Sequence, residues 1–130
     1  MLFRSVTHYI ALAGIGHGAA GQPAGAKGNG FMGYDRLTSI AMIEDGSSNT
    51  IALMETRSNV GPWARGGVST LRGFDPTIAL DGDHPLFGGH AGGLNVGMAD
   101  GSVRFISSSI DPSKLAGAIT IAGGESVDLD

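Results

Sequence analysis

The stretch from His90 to Ile106, HAGGLNVGMADGSVRFI, constrains the fold more than any other part of the chain. Leu94, Val96 and Met98 alternate with Asn95, Gly97 and Ala99. After Asp100-Gly101, Val103 and Phe105 alternate with Ser102 and Arg104. Two period-2 runs joined by Asp-Gly are a strong signal for a β-hairpin. A two-residue type I′ loop requires φ > 0 at both central positions, which Gly prefers and Asp tolerates. With Asp100-Gly101 as that loop, Met98 faces Val103 and Val96 faces Phe105. These four side chains then share the core face, and Gly97 and Arg104 fall on the other. The hairpin is expected at the centre of the fold.

The remaining chain reads as short elements separated by glycine. With 23 glycines among 130 residues, this is a turn-rich sheet protein and not a helical bundle. The length fits one globular domain spanning residues 1–130. Met1 to Ser5 fits nothing downstream and is read as a truncation edge. Thr7 to Ile15 has the composition of a strand. Gly14 to Gly30 is a Gly/Ala tract containing Pro23, expected as a surface loop. Gly28 to Gly33 matches G-x-G-x-x-G, but no strand precedes it and no helix follows, so composition explains it. Thr38 to Glu44 reads as a helical turn capped by Thr38 or Ser39, with Ile40 and Ile43 paired on one side. Ile51 to Thr56 reads as a buried strand, and Thr77 to Leu80 as a short one. Asp111 caps a helix with Pro112 at its first position, and Leu115, Ala118, Ile119 and Ala122 form its apolar stripe. Gly123-Gly124 stops that helix, and Ser126 to Leu129 follows as an edge strand. The fold class is α+β: an antiparallel sheet with short helices.

Charge and composition narrow the function. The net charge of −4, with no Lys/Arg cluster, excludes a nucleic-acid partner held through phosphates. With no cysteine, disulfides, thiolate zinc sites and cysteine nucleophiles are excluded. No run reaches the roughly 18 apolar residues of a membrane span, and no signal-peptide h-region is present.

Several residues are candidates for chemistry. Asp81, Asp83, His84 and His90 could form a mixed oxygen/nitrogen metal site, with Ca²⁺ the ion best suited to an oxygen-rich loop. The plainer reading is that Asp and Gly serve turns there. Glu55, at the end of an apolar strand, reaches solvent or a backbone donor, or pairs with Arg57, Arg65 or Arg72. Trp63, beside Arg65, is a core anchor or, alternatively, a stacking platform for a ligand. His90 is expected to bond a backbone carbonyl or a turn carboxylate. Serines and histidines are present without a G-x-S-x-G elbow, so a hydrolase triad has no sequence support.

Three segments together resemble a known family. His90, nine intervening residues, then Asp100-Gly101-Ser102-Val103-Arg104-Phe105 resembles a His-x9-Asp-Gly signature. Asp45-Gly46-Ser47-Ser48-Asn49-Thr50, followed by Glu55, resembles an internal Asp-Gly-Thr-Ser-Asn-Thr…Glu motif, with Ser47 in place of Thr. Gly123-Gly124-Glu125 resembles a closing segment. The family is the bacterial prepilin-like domain of unknown function 1559, common in planctomycete-type bacteria. The resemblance implies the globular head of a type IV pilin- or pseudopilin-like envelope protein, lacking here the N-terminal membrane helix and its processing site. It implies an extracytoplasmic location, other pilin-like or envelope proteins as partners, a structural and non-enzymatic role, and Ca²⁺ in a C-terminal loop as in related heads. The alternatives from the residues are a binding module for a cell-surface polymer or small ligand, built on Trp63 and Arg65, and a metal-dependent hydrolase. Any site is expected between His90, the Asp81–His84 loop and the Asp45 cluster.

Overall fold

The computed structural model describes residues 5–57, 60–77, 90, 92–124 and 129. Five strands form one sheet: β1 (Tyr9–Ile15), β2 (Ile51–Glu55), β3 (Leu71–Phe74), β4 (Gly93–Met98) and β5 (Val103–Ser107). Their order across the sheet is β3-β1-β2-β4-β5. All neighbours are antiparallel except β1 and β3, which run parallel. One helix, α1 (Pro112–Ile119), packs against β1 and β2. The α+β architecture read from the sequence is the one observed.

Alternation and burial divide the sheet into two faces. Ile10, Leu12, Met54, Leu94, Val96, Met98 and Ile106 point to the inner face, where Leu115, Ala118 and Ile119 of α1 close the core with Phe74. A register shift in the β2–β4 pairing lies between Ile51 and Leu53. Such a bulge lets Ile51 and Met54, three residues apart, both face inward. The outer face carries Tyr9, Leu53, Asn95, Val103 and Phe105, since Tyr9 pairs with Glu55, Leu53 with Gly97, Gly97 with Val103 and Asn95 with Phe105.

The hairpin forms with a register one residue away from expectation. Val96 faces Arg104 and Gly97 faces Val103. The Gly101 N–H donates to the Met98 carbonyl at 3.0 Å, and the Met98 N–H donates to the Ser102 carbonyl at 2.8 Å. The loop is therefore Ala99-Asp100-Gly101, a turn closed by a left-handed glycine, with Gly101 at φ 87°. Asp100 does not adopt positive φ, so no type I′ loop forms. A one-residue slip moves every side chain of a strand to the other face. Val103 and Phe105 are accordingly 72% and 53% exposed, and Ile106 fills the core position instead.

Helix α1 starts as read: the Asp111 carboxylate accepts the Ser113 N–H at 2.8 Å, with Pro112 in the first turn. It ends earlier. Thr120 is extended, and Ala122 is exposed instead of joining the stripe. The chain leaves the helix because Ile121 bridges two other segments. Its N–H donates to the Asn29 carbonyl, and its carbonyl accepts the Asp45 N–H. In the turn at Ile40–Met42, Ile43 is buried, but Ile40 is 81% exposed and does not share its burial.

The Gly/Ala tract is laid against β1. Gly30 N–H donates to the Ala13 carbonyl, and Ile15 N–H to the Gly28 carbonyl. Arg36 holds this arrangement together. Its Nη1 donates to the carbonyls of Ala19 (2.8 Å) and Gln22 (3.1 Å), and its Nη2 to those of Ala13 and Met32, both at 2.7 Å. Burial lowers its pKa from the ordinary arginine value. A tract with few side chains has many carbonyls to satisfy, and one guanidinium supplies donors to four of them.

Strand β3 has no counterpart in the sequence reading, because Arg72 and Gly73 interrupt its apolar alternation. Arg72 is nonetheless buried, donating to the Val68 carbonyl and the Thr56 hydroxyl. A Cβ at Gly73 would lie 1.8 Å from the Gly16 carbonyl oxygen, so only glycine permits that approach. The strand expected at Thr77–Leu80 begins instead with a turn, in which the Asp75 carboxylate accepts the N–H and hydroxyl of Thr77. Its remaining residues, and those of the expected strand from Ser126, lie outside the described residues apart from Leu129, which is buried.

Candidate functional site

The sequence motifs gather at two opposite ends of the β2–β4–β5 half of the sheet. At one end, the turn from Asp45 to Thr50 leads into β2. Thr50 Oγ1 donates to the Gly46 carbonyl at 3.0 Å, and Asn49 Nδ2 to the Asp45 carbonyl at 3.2 Å. This turn binds the hairpin tip: the N–H groups of Ala99 and Asp100 donate to the carbonyls of Thr50 (2.8 Å) and Ser47 (3.1 Å). Arg104 Nη2 donates to the Ser48 carbonyl at 3.3 Å. The Asp45 carboxylate reaches the end of the chain, accepting the N–H of Gly123 at 2.8 Å and of Gly124 at 2.9 Å. Asp100 accepts the hydroxyl and N–H of Ser102, and these bonds hold its carboxyl below the usual aspartate range. Three motifs far apart in sequence thus form one hydrogen-bonded unit.

At the other end stands Glu55, the last residue of β2. Its Oε2 accepts the Asn95 N–H at 2.7 Å. Its Oε1 lies 2.8 Å from His90 Nε2 and accepts the Tyr9 hydroxyl at 3.3 Å. Burial pushes the Glu55 pKa up, but the Asn95 N–H, His90 and Tyr9 together outweigh it and bring the pKa below the ordinary glutamate value. Partial burial, then the Glu55 charge, raises the Tyr9 phenol. His90 also forms an isolated bridge with Gly93, at the entry to β4. A cleft of about 200 Å³ opens here, lined by His8, Glu55, Thr56, Arg57 and His90. The expected backbone-donor role of Glu55 is met by Asn95, and its side-chain partners are His90 and Tyr9, not Arg57, Arg65 or Arg72. His90 bonds a strand carboxylate where a turn carboxylate or carbonyl was expected.

The length of β2 separates His90 from the Asp45 cluster, and the Asp81–His84 loop, the third member of the anticipated site, lies outside the described residues. From Ile51 to Glu55 an extended chain covers roughly 13 Å. Asp81, Asp83, His84 and Glu125 lie outside the described residues. Among the described residues, no group of three His, Asp or Glu side chains is placed to hold a metal ion. Trp63 is not a core anchor: it is 67% exposed, and Arg65 beside it is exposed as well. Its segment turns at Pro62 and binds the outer edge of residues 5–7, where Trp63 N–H donates to the Ser5 carbonyl and Thr7 N–H to that of Gly61. Among the described residues, the fully buried aromatic is Phe74 instead, on β3.

A family model described as Protein of unknown function (DUF1559) matches residues 57–113. That segment contains His90, β4 and β5, whereas the Asp45–Glu55 and Gly123–Glu125 stretches lie outside it. No curated protein and no solved structure matches the chain. Among the described residues, no helix is long and apolar enough to cross a membrane.

Proposed function

We propose that this chain, which belongs through that segment to the DUF1559 family, is a non-enzymatic structural and interaction head domain of a pilin- or pseudopilin-like envelope protein. The observation that carries this reading is where the motif carboxylates are spent. Both oxygens of Asp45 accept backbone amides, Asp100 Oδ1 accepts from its own turn, and Glu55 accepts from the Asn95 N–H, the Tyr9 hydroxyl and the neighbouring His90. These contacts tie strands, turns and the chain after α1 together, which is the work of a structural scaffold. The outer sheet face supplies an interaction surface, with Tyr9, Leu53, Val103 and Phe105 between 41% and 72% exposed. Its partners would be other pilin-like or envelope proteins, in an extracytoplasmic setting. A photo-crosslinking residue in place of Phe105, followed by cell fractionation, tests this. Recovery in the envelope or in sheared surface filaments, crosslinked to a pilin-like subunit, is expected. Purely cytoplasmic recovery without a crosslink would overturn it.

A second reading is supported by the exposure of Trp63 next to Arg65: a binding module for a cell-surface polymer, with the indole as a stacking platform. Saturable quenching of Trp63 fluorescence by envelope polysaccharide, with calorimetric binding of the same polysaccharide lost in Trp63→Ala, is the expected signature. An unchanged spectrum would remove this reading.

A further inference from the structure

The sheet ends in two unlike edges. At one, β3 is four residues long and carries a buried charge, Arg72. Short edge strands and inward charges discourage pairing with another chain. At the other, β5 is five residues long and, among the described residues, has only β4 beside it. It contains no Pro and no Lys, and its pairing with β4 keeps one register throughout. The ladder fixes which groups point outward. The Met98 N–H donates to the Ser102 carbonyl and the Ser108 N–H to the Gly92 carbonyl, both at 2.8 Å. Antiparallel ladders alternate, so Arg104 and Ile106 also direct their N–H and C=O groups at β4. Val103, Phe105 and Ser107 direct theirs away from the sheet. Of these outward groups, only the Ser107 carbonyl has a partner among the described residues, accepting the Ile110 N–H at 3.1 Å. A row of open donors and acceptors beside the exposed Val103 and Phe105 is a template for strand addition.

The strand that complements this edge is a second β5. Two copies related by a two-fold axis run antiparallel there, and such an interface closes on itself. With the axis at Phe105, Phe105 exchanges both of its outward bonds with the partner's Phe105. Each Ser107 N–H then donates to the Val103 carbonyl across the axis. Each Val103 N–H reaches the opposite Ser107 carbonyl, which keeps a second lone pair. The charge on β5 selects this register. An axis at Arg104 would set two guanidinium groups directly opposite each other, which is destabilising. The axis at Phe105 sets Arg104, the one charge of the strand, opposite the partner's Ile106. It also joins the two outer faces, so that Val103 and Phe105 of both copies form one apolar strip. We propose that β5 pairs with β5 of a second copy of this chain in this register, joining two five-stranded sheets into one. The contact spans five residues a side, against roughly 20–30 in a stable standard interface. The dimer therefore forms at high concentration and dissociates on dilution. It requires only this chain, so it does not rest on the envelope reading, and cytoplasmic recovery of the protein would leave it untouched.

The test is sedimentation equilibrium of the full chain from about 10 µM to about 1 mM, a range suited to a contact of this size. The mean mass should rise from one chain toward two and no further. Phe105→Lys puts two like charges on the axis and should move that rise to a concentration at least about tenfold higher, with the circular dichroism of the fold retained. Cysteine crosslinking reads the register, since the chain has no cysteine of its own. The Cα atoms of a hydrogen-bonded antiparallel pair lie about 5.5 Å apart, within disulfide reach. Phe105→Cys should therefore give a covalent dimer under a mild oxidant. Val103→Cys, on the same face and more exposed, lies about 14 Å from its counterpart and should not. If Phe105→Lys does not fold, the two cysteine variants decide the matter. A mass fixed at one chain over the whole range overturns the pairing, whatever else binds β5. So do assemblies larger than two chains, or association unchanged in folded Phe105→Lys. Equal crosslinking of the two cysteine variants would indicate packing of the outer faces and also overturns it.

Discussion

The two ends of the β2–β4–β5 half differ in what their carboxylates hold. At the hairpin end, Asp45 and Asp100 accept backbone N–H groups and the Ser102 hydroxyl, and among the described residues neither forms an ion pair. At the opposite end, Glu55 combines one backbone N–H with two titratable side chains, His90 and Tyr9. The first arrangement depends on backbone geometry, so it should respond to shape. The second depends on ionisation, so it should respond to pH. The difference shows how residues of one family resemblance can serve distinct physical ends.

The largest effect is expected at the hairpin end. Gly101→Val forces a β-branched residue to φ 87° and should cost about 2 kcal/mol or more, since the left-handed region is unfavourable for such residues. An unchanged thermal midpoint would show that the turn can adopt another type. Asp45→Ala removes two amide acceptors and should cost about 1–2 kcal/mol, in the range of lost capping interactions. Proteolysis near Gly123 should accelerate in the same variant, and equal cleavage rates would detach the chain end from the Asp45 turn.

At the other end the expected effect is smaller and depends on pH. The folded Glu55 pKa lies below its unfolded value. Its contribution to stability is therefore fully present above the unfolded glutamate value of about 4.3, and is lost as pH falls through the lower folded value. Glu55→Gln should cost about 1 kcal/mol at neutral pH and flatten the acid limb of the stability profile. An acid limb identical to the parent's would mean that Glu55 carries no net linkage. The smallest change is expected for Asp100→Asn, on the exposed tip, where the side chain still accepts from Ser102. A loss as large as that of Asp45→Ala would contradict the contrast between the tip and the chain-end contact.

The same contrast tells which features were legible. Asp100-Gly101 between alternating runs announces a hairpin, and Asp111-Pro112 announces a helix start, because both signals act within a few residues. The hairpin register differs from the expected one because Asp-Gly serves a three-residue loop as well as a two-residue one, and the choice inverts the faces of Val103 and Phe105. Trp63 lies outside the core: hydrophobicity alone does not say which aromatic fills it. Phe74 took that place, on a strand that Arg72 and Gly73 disguised. Arg36 left no pattern at all, since its four acceptors are backbone carbonyls that any residue carries.

By itself, the sequence determined the local chemistry of this protein: where the chain turns, where α1 begins, and which segments alternate as strands. These depend on φ/ψ preferences and on donors and acceptors a few residues away. Only the tertiary structure decided which distant groups meet. It placed Asp45 against Gly123 and Gly124, Glu55 against His90, and β5 at an edge of the sheet. Such contacts depend on strand order and register, which are settled by packing a whole face of apolar side chains at once and by no single motif.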